Sequence, residues 1–334
     1  MNQTEKKQEK KSKMQLKQEK VLNEEMVQTS KKTRKHTGIC AVHPDRSIFQ
    51  TEKGRFIKIY SIKGLDNSAL RKELLVRSLC NCADQRIRIS AFLHKGNSMP
   101  IFFLSVFFHG KNYADIYNDV KKFDLLLERI LKENIRISIK PCCLNDIFMF
   151  IYMNCNGQIK KISQKQILRK MADWKQEYFA DIIPEDFGYE IPKVKKYGCS
   201  YMTLQYPDHS ERVFDLIRQQ TGCSILSSVD IQKIPEKYFQ DYKTYIQELY
   251  NDMTETELEK LINVTFIFTI TADSKKELET VNRLIKKQFY NAGFVISKCN
   301  DIEKDIFNSI ASLGLYDFHC MRNVKETEIA NLII

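Results

Sequence analysis

Long apolar runs are missing from this sequence. The longest cover residues 99–108 and 147–153, and both are well short of the roughly 20 residues that a helix needs to span a bilayer. The N-terminal region also lacks the apolar stretch of a secretory signal peptide. From these two absences we predict a chain that is made and kept in the cytoplasm.

A phosphate-binding P-loop is missing as well. That motif needs glycines whose backbone amides surround the phosphates, and a lysine followed by Ser or Thr. The single Gly-Lys pair is Gly110-Lys111, with Ser105 at the position of the first glycine and Asn112 at that of the Ser or Thr. The pair follows an apolar strand, so we interpret it as a strand end. We predict no ATP hydrolysis and no cofactor for this chain.

Ten cysteines occur, but their spacing does not suit a zinc site. The closest pairs are Cys80 with Cys82 and Cys142 with Cys143. A zinc site typically needs C-x-x-C or a spaced histidine pair, and neither occurs. Without a secretory signal, the cysteines are expected to be reduced thiols that pack as small hydrophobes. No G-x-S-x-G turn occurs either, so we predict neither a metal site nor a catalytic residue.

Positive charge is concentrated at the N-terminus. Residues 1–36 contain ten Lys and one Arg against five Glu, a net +6 of the chain's +11, and no aromatic residue. Such a composition is typical of disorder, so we predict a disordered basic tail over residues 1–36. Its candidate contacts with an anionic membrane surface or with DNA phosphates are Lys31, Lys32, Arg34 and Lys35. A tail that only keeps the chain soluble is an equal alternative, because glutamates are interspersed and aromatic residues are absent.

The chain is long enough for two domains. We predict the first over residues 37–141. Strands are predicted at 56–62, 86–93, 101–108 and 135–139, and helices at 66–79 and 113–131. In the second strand the apolar residues alternate with Arg86, Arg88 and Ser90, a pattern typical of a half-buried strand. The order β-α-β-β-α-β is that of a ferredoxin-like unit, in which both helices cover one face of a four-stranded antiparallel sheet.

A second unit follows a connector. We predict a helical connector over residues 142–198, which contain the only tryptophan, Trp174. Residues 199–334 then predict a repeat of the first unit, with strands at 201–205, 224–231, 264–270 and 294–296. A helical arm, residues 235–261, is inserted before its third strand. The predicted fold class is therefore α+β, with two ferredoxin-like units and a helical insertion in the second.

The inserted arm carries an aromatic stripe, Tyr238, Tyr242 and Tyr245. Spacing of three and four places these side chains on one face of a helix. Such a face can bind a partner or stack on nucleic-acid bases, although at this spacing packing onto the parent sheet is more common. The stripe is the candidate partner contact of the chain.

Four short motifs occur in order along the sequence. They are Gly38-Ile39-Cys40-Ala41-Val42, Asp181-Ile182-Ile183-Pro184, Lys195-Lys196-Tyr197-Gly198, and Ser309-Ile310-Ala311-Ser312-Leu313-Gly314 followed by Arg322. In this order the chain, from about residue 37 onwards, resembles the N-terminal domain of the conjugative-transfer (type IV secretion) ATPases, the VirB-type family. It departs from the family at Ser312, where a proline is usual, and at 322–327, which is more charged than the usual Thr-rich segment.

The resemblance implies a function in docking. In that family the domain joins the ATPase motor to the inner-membrane channel complex and to neighbouring subunits in a ring, at the cytoplasmic face of the cell membrane. Nucleotide hydrolysis belongs to a C-terminal motor domain, and the expectation is that this sequence ends where the motor would begin. The alternative is a stand-alone nucleic-acid-binding accessory protein of a mobile element, which would use the basic tail together with Arg86 and Arg88.

Overall fold

An antiparallel sheet of 14 strands organises the molecule. The computed structural model of the protein describes residues 15–333 apart from 66–68, 83–84, 98, 133–136, 158–159, 170–173, 175–177, 179–180, 187, 207–222, 234–243, 245–260, 299–301, 317, 319, 326–328 and 330–331. The predicted α+β class is confirmed, because helices pack against this sheet.

The elements follow one another in an order close to the predicted one. The strands are β1 (Val27–Gln28), β2 (Ile39–His43), β3 (Ile48–Thr51), β4 (Arg55–Lys63), β5 (Arg86–Leu93), β6 (Ile101–His109), β7 (Ser138–Pro141), β8 (Ile183–Glu185), β9 (Gly188–Ile191), β10 (Lys196–Gln205), β11 (Ser224–Gln232), β12 (Leu261–Ala272), β13 (Val295–Lys298) and β14 (Arg322–Lys325). The described helices are α1 (15–24), α2 (Lys31–Thr37), α3 (Ala69–Cys82), α4 (Tyr113–Lys132), α5 (Leu144–Asn156), α6 (Gln164–Arg169), α7 (Lys275–Asn291) and α8 (Glu303–Ala311).

Two sets of four strands in the sheet have the same neighbour order. The first set is β7-β4-β6-β5 and the second is β13-β10-β12-β11, so in each set the fourth strand along the chain pairs with the first, and the first with the third. A hairpin precedes each set, β2–β3 before β4 and β8–β9 before β10. The second half of the chain thus repeats the strand order of the first. The helix expected between β10 and β11 lies outside the described residues.

The two sets form one sheet because β5 pairs with β11. Their register runs from Ile87 opposite Ile231 to Leu93 opposite Ile225 without a shift. Both strands therefore have neighbours on both sides, β6 beside β5 and β12 beside β11. Neither leaves the unpaired backbone groups of an edge strand, which would invite pairing with another chain.

One face of the sheet, called here the first face, is covered by α3, α4 and α7. Helix α4 buries Ile116, Val120 and Phe123 in a core shared with the sheet. Helix α7 begins after Ser274, whose side chain accepts a hydrogen bond from Glu277 N. The Glu277 side chain in turn accepts one from Asp273 N. These bonds satisfy amides of the first turn that have no partner within the helix.

The opposite face, the second face, is covered by α5, α6 and α8. Phe92 of β5 and Phe103 of β6 both pack on Phe150 of α5, with ring centroids 4.5 Å apart in each pair. The prediction of a half-buried β5 is therefore wrong, since all eight of its residues are buried. Its arginines lie beneath a second layer of the protein, where other groups bind them, and do not face water.

The predicted disorder of residues 1–36 is corrected for the described part of that range. Residues 15–24 form α1, β1 pairs with β2, and residues 31–37 form α2. Met26 is buried in the first-face core, and the Asn23 side chain accepts a hydrogen bond from Ala114 N at the start of α4. Composition alone missed this because a single buried methionine and a few side-chain bonds fix the segment. Residues 1–14 lie outside the described residues.

The predicted connector, residues 142–198, is only partly helical. It contains α5 and α6, and Trp174 is buried against Phe148, but β8, β9 and the start of β10 are strands. Of the predicted arm, Leu261 already belongs to β12, and the stripe Tyr238, Tyr242 and Tyr245 lies outside the described residues. Among the described helices, none combines the length and the apolar character that a membrane crossing requires.

Candidate functional site

The C-terminal segment, residues 302–333, contacts both faces of the sheet. Helix α8 lies on the second face, and β14 joins the sheet by pairing with the first residues of β12. Beyond β14 the side chains of Ile329, Leu332 and Ile333 are buried in the first-face core. Lys72 Nζ of α3 donates to Ile333 O at 3.0 Å. The segment therefore passes from one layer of the molecule to the other, and we take its attachment as the candidate site.

Arg88 is the main anchor of this segment on the second face. Its guanidinium binds the Asp230 carboxylate with two bonds, Nε to Oδ1 at 2.9 Å and Nη2 to Oδ2 at 2.7 Å. Nη1 donates to Ser309 O at 3.0 Å and to Ser309 Oγ at 2.8 Å, and Nη2 also donates to Phe318 O at 3.0 Å. One buried arginine thus links β5, β11 and the C-terminal segment through charge-assisted bonds.

Arg86 adds a second cation to the same carboxylate. Its Nη2 lies 3.1 Å from Asp230 Oδ1, and its guanidinium carbon lies 4.3 Å from the centroid of the Phe107 ring. Arg88 and Asp230 are fully buried and Arg86 nearly so. Buried charges have lost their hydration, so each depends on its partners here. The cluster therefore stabilises the junction only while Asp230 and both arginines stay paired.

The turn after α8 needs glycine at position 314. Gly314 has φ +87°, and a Cβ added there would lie 3.0 Å from Phe107 Cζ and 3.2 Å from Arg88 Nη1. The preceding carbonyl, Leu313 O, accepts a hydrogen bond from Ser105 Oγ at 2.7 Å. The glycine of the family-like motif therefore allows the turn to lie directly on the arginine cluster.

Ser312, at the end of α8, has a local role through its backbone and its hydroxyl group. Ser312 N donates to Asn308 O at 3.0 Å, and Ser312 Oγ accepts from Tyr316 N at 3.0 Å. A proline would supply neither group. Ser312 thus closes the end of α8 with two hydrogen bonds.

The contacts predicted from the sequence have three different outcomes. Arg86 and Arg88, assigned to phosphate binding in the alternative hypothesis, are buried ion-pair partners, so that assignment is wrong. Lys31, Lys32 and Lys35 are exposed on α2. Arg34 is half-buried, and its Nη2 lies 3.4 Å from Gln28 Oε1. The aromatic stripe lies outside the described residues, so its role in partner binding stays a prediction.

The residues around the Gly-Lys pair, and Cys80, Cys142 and Cys143 of the close cysteine pairs, have ordinary structural surroundings. Lys111 N and Asn112 N both donate to Asp115 Oδ2, at 2.8 and 3.2 Å, so these amides bind the first turn of α4. Cys80 and Cys142 are buried and Cys143 is exposed. Burial raises the pKa of Cys142 to about 12, which keeps the thiol protonated and unreactive near neutral pH.

Sequence reasoning missed Asp230, Ser105 and Ser309, which complete the site. A signal was present for two of them. Asp230 is the one acidic residue in an otherwise neutral strand, and Ser105 interrupts an apolar run. A polar residue inside a strand that is buried on both faces needs a partner, so the two positions indicated buried polar contacts on that face.

Comparisons with known proteins add little to this geometry. No protein-family model and no curated protein matches the sequence. Among solved structures, a match is found to the crystal structure of aminoacylhistidine dipeptidase from Vibrio alginolyticus, with 12% identity and a TM-score of 0.20. The match covers 74% of this chain and 40% of that enzyme's chain. A likeness this weak supports no inference about fold or activity.

Proposed function

We propose that this protein is a docking scaffold of a type IV secretion (conjugative-transfer) ATPase system. It joins the motor to the inner-membrane channel complex and to neighbouring copies of the scaffold, at the cytoplasmic face of the cell membrane. The proposal rests on the resemblance to the N-terminal domain of the VirB-type ATPases and on the positions of the motif residues in the fold. The function is binding, and no reaction is assigned to this chain.

The strand order supports the fold that the sequence pattern predicts. In a ferredoxin-like unit, four antiparallel strands are covered on one face by the two helices of the β-α-β-β-α-β order. Both four-stranded sets share one neighbour order, and α3, α4 and α7 pack in one core on one face. We therefore interpret each set as a ferredoxin-like unit, and the two units are joined edge to edge through β5 and β11.

The observation that carries the proposal is the path of the C-terminal segment. Arg88 and Ser105 bind it on the second face, β12 pairs with it in the sheet, and Lys72 binds it on the first face. In the family a motor follows this segment. A motor attached here would be held by both units at once, as a scaffold that transmits movement between motor and channel requires.

Two surfaces are the candidates for partner binding. Interfaces draw most of their affinity from a few aromatic or arginine anchors, which favours the stripe Tyr238, Tyr242 and Tyr245 as the contact with the membrane complex. A basic residue near an anionic membrane contributes about 1 kcal/mol. The exposed lysines of α2 are therefore the weaker, supporting contact with the lipid surface.

Co-purification tests the proposal. The tagged chain is co-expressed with the membrane proteins encoded beside its gene, and complexes are purified in mild detergent. We expect inner-membrane channel components to be recovered with the wild-type chain and lost with the double variant Tyr242→Ala/Tyr245→Ala. Tyr290→Ala is the matched control, because Tyr290 is 81% exposed on α7, away from the stripe in sequence. All variants are checked for an unchanged melting temperature.

Nucleic-acid binding is the result that would contradict the scaffold. Anisotropy of a labelled DNA duplex is measured at about 150 mM salt, where non-specific binding through a few lysines is weak. Tight binding at this salt would favour the accessory protein, and weaker binding after deletion of residues 1–14 would show that the lysines of that stretch contribute. The deletion stops at residue 14 because residues 15–36 contain Met26 and β1, whose loss would disturb the fold itself.

A further inference from the structure

A cavity of about 390 Å³ opens on the second face, six residues along the chain from Arg88. It lies where the two units meet, between the end of β5, the start of β10 and β11, and the helices α5 and α8. Its volume is within the range of small-molecule sites, which are typically mostly apolar with a few placed polar groups. The cavity shares Phe307 of α8 with the C-terminal segment, but Arg86, Arg88 and Asp230 are not among its lining residues.

One side of the cavity is apolar. Its walls are formed by Met153, Ile191, Val194, Leu226 and Phe307. Ile191, Leu226 and Phe307 are buried members of the second-face core, so their positions are fixed by packing. This side can accept an aromatic ring or a short hydrocarbon chain without rearrangement of the core.

The other side carries polar groups that lack partners. Asn154 Nδ2 donates to Ala311 O at 3.4 Å, whereas the buried Asn154 Oδ1 has no hydrogen-bond partner within the described part of the chain. The same is true of the buried His94 Nε2. Buried polar atoms in proteins are usually satisfied, so two unsatisfied atoms at one cavity indicate that a bound molecule or water supplies the missing bonds.

Two cationic side chains lie at the cavity. Lys95 and Lys196 line it, and none of its described lining residues is acidic. Two carboxylates lie outside the lining. Asp273 Oδ2 and Glu277 Oε1 lie 2.8 and 3.2 Å from Lys95 Nζ, whereas Lys196 Nζ has only the longer contact with Asp273 Oδ1, at 3.8 Å. Lys196 is therefore the less compensated of the two cations. Burial, and then the charge of Lys196, lower the pKa of His94. Lys196 therefore acts on the interior of the cavity as well as on Asp273.

We propose that this cavity binds a small organic anion, with a carboxylate or phosphate group at Lys196 and His94 and an aromatic or aliphatic body against Leu226 and Phe307. Asn154 Oδ1 would accept a hydrogen bond from a donor on the ligand or from a water that the ligand retains. The inference is independent of the docking function.

Calorimetric titration of the full chain with three naphthalene probes tests the proposal. The probes are 1-naphthoate, 1-naphthyl phosphate and the neutral 1-naphthalenemethanol. We expect saturable binding of at least one anion with a Kd below about 1 mM, and binding of the alcohol at least about tenfold weaker. The relative affinity of the two anions distinguishes a carboxylate site from a phosphate site.

Variants locate the binding in this cavity. Lys196→Met keeps the length of the side chain and removes its charge, so it should weaken anion binding at least about fivefold. Val194→Phe should block the apolar side. Lys122→Met is the matched control, because Lys122 is 79% exposed on α4, and it should bind like wild type. Binding of the alcohol as tight as that of the anions, unchanged affinity in Lys196→Met, or no saturable binding of any probe would each overturn the proposal.

Discussion

Asp230 is the residue on which the buried cations of the second face depend. Its carboxylate is fully buried and binds both Arg88 and Arg86. Removing one partner of a buried ion pair leaves the other charge uncompensated, which costs about 3–5 kcal/mol. We expect Asp230→Asn to lower the free energy of unfolding by about this amount, measured by urea denaturation.

Asp273→Asn is the matched control for this prediction. Asp273 also binds two cations, Lys95 and Lys196, but its side chain is 55% exposed. Exposed ion pairs typically contribute about 0–1 kcal/mol, so the control should lose little stability. If Asp230→Asn is as stable as Asp273→Asn, water reaches the arginine cluster and compensates its charges. The role of the cluster as the anchor of the C-terminal segment must then be withdrawn.

Substitution of Gly314 tests whether the turn after α8 requires a residue without a side chain. Gly314→Ala introduces a Cβ 3.0 Å from Phe107 Cζ at φ +87°, whereas Gly96→Ala has a similar φ of +84° with no atom within 4 Å. The Gly96 variant therefore carries backbone strain alone, about 1–2 kcal/mol. Gly314→Ala should cost about 1–3 kcal/mol more, because it also overpacks a buried contact. Equal losses in urea denaturation would indicate that the turn simply moves off the cluster.

Among the elements, α8 carries a buried acid at its first residue. Glu303 is 4% exposed, its Oε1 lacks a partner among the described residues, and burial raises its pKa to about 7, against the opposing charge of Lys298. The folded state therefore binds a proton more tightly than the unfolded state. Between the ordinary carboxyl pKa and about 7, stability falls as the pH rises.

The variant Glu303→Gln isolates this pH dependence. Above about pH 7 it should be more stable than wild type, by on the order of 1–3 kcal/mol, because the wild-type chain must ionise a buried acid. Below about pH 4.5 the two proteins should differ little, because the acid is protonated in both states of the wild type. Urea denaturation at both pH values measures the difference. A wild-type advantage at high pH would mean that Glu303 has an ionic partner.

Elements with strong local signals were predictable. Strand β12 is rich in β-branched and aromatic residues, and α7 has helical spacing together with the Ser274 and Glu277 caps, so propensity, pattern and capping agree there. The position of a strand within the sheet was harder to predict from the sequence. The alternation of polar and apolar residues in β5 indicated that one face of the strand is exposed to solvent. The arginines of that face instead bind Asp230, which lies 142 residues further along the chain from Arg88.

The missing information lies in the pairing partners, most of which are distant in the sequence. The charge of residues 15–36 indicated disorder, and the contact of Asn23 with Ala114 overrides that local tendency. The hairpin β8–β9 is short and contains Pro184, so its sequence carries little strand signal, and its pairing with β10 fixes it instead. The candidate site was predictable only as a motif around Gly314, because its chemical partners come from β5, β6 and β11.

At the scale of the whole molecule, each of the two cores contains residues from both halves of the chain. The first-face core contains Ile89 of β5 together with Val229 of β11, and the second-face core contains Phe92 together with Phe307 of α8. Strands β5 and β11 are neighbours in one sheet, and the C-terminal segment binds both units. Separation of the units would therefore expose two apolar faces and two strand edges at the same time.

We therefore expect both units to unfold in one transition. Far-UV circular dichroism follows the whole sheet, whereas fluorescence of Trp174 follows the second-face core, where its ring centroid is 4.5 Å from that of Phe148. The two urea curves should coincide. Residues 1–141 expressed alone should aggregate, because β5 would become an unpaired edge and Phe92 and Phe103 would be uncovered. Separate transitions, together with a folded and monomeric 1–141 fragment, would instead establish two independent domains.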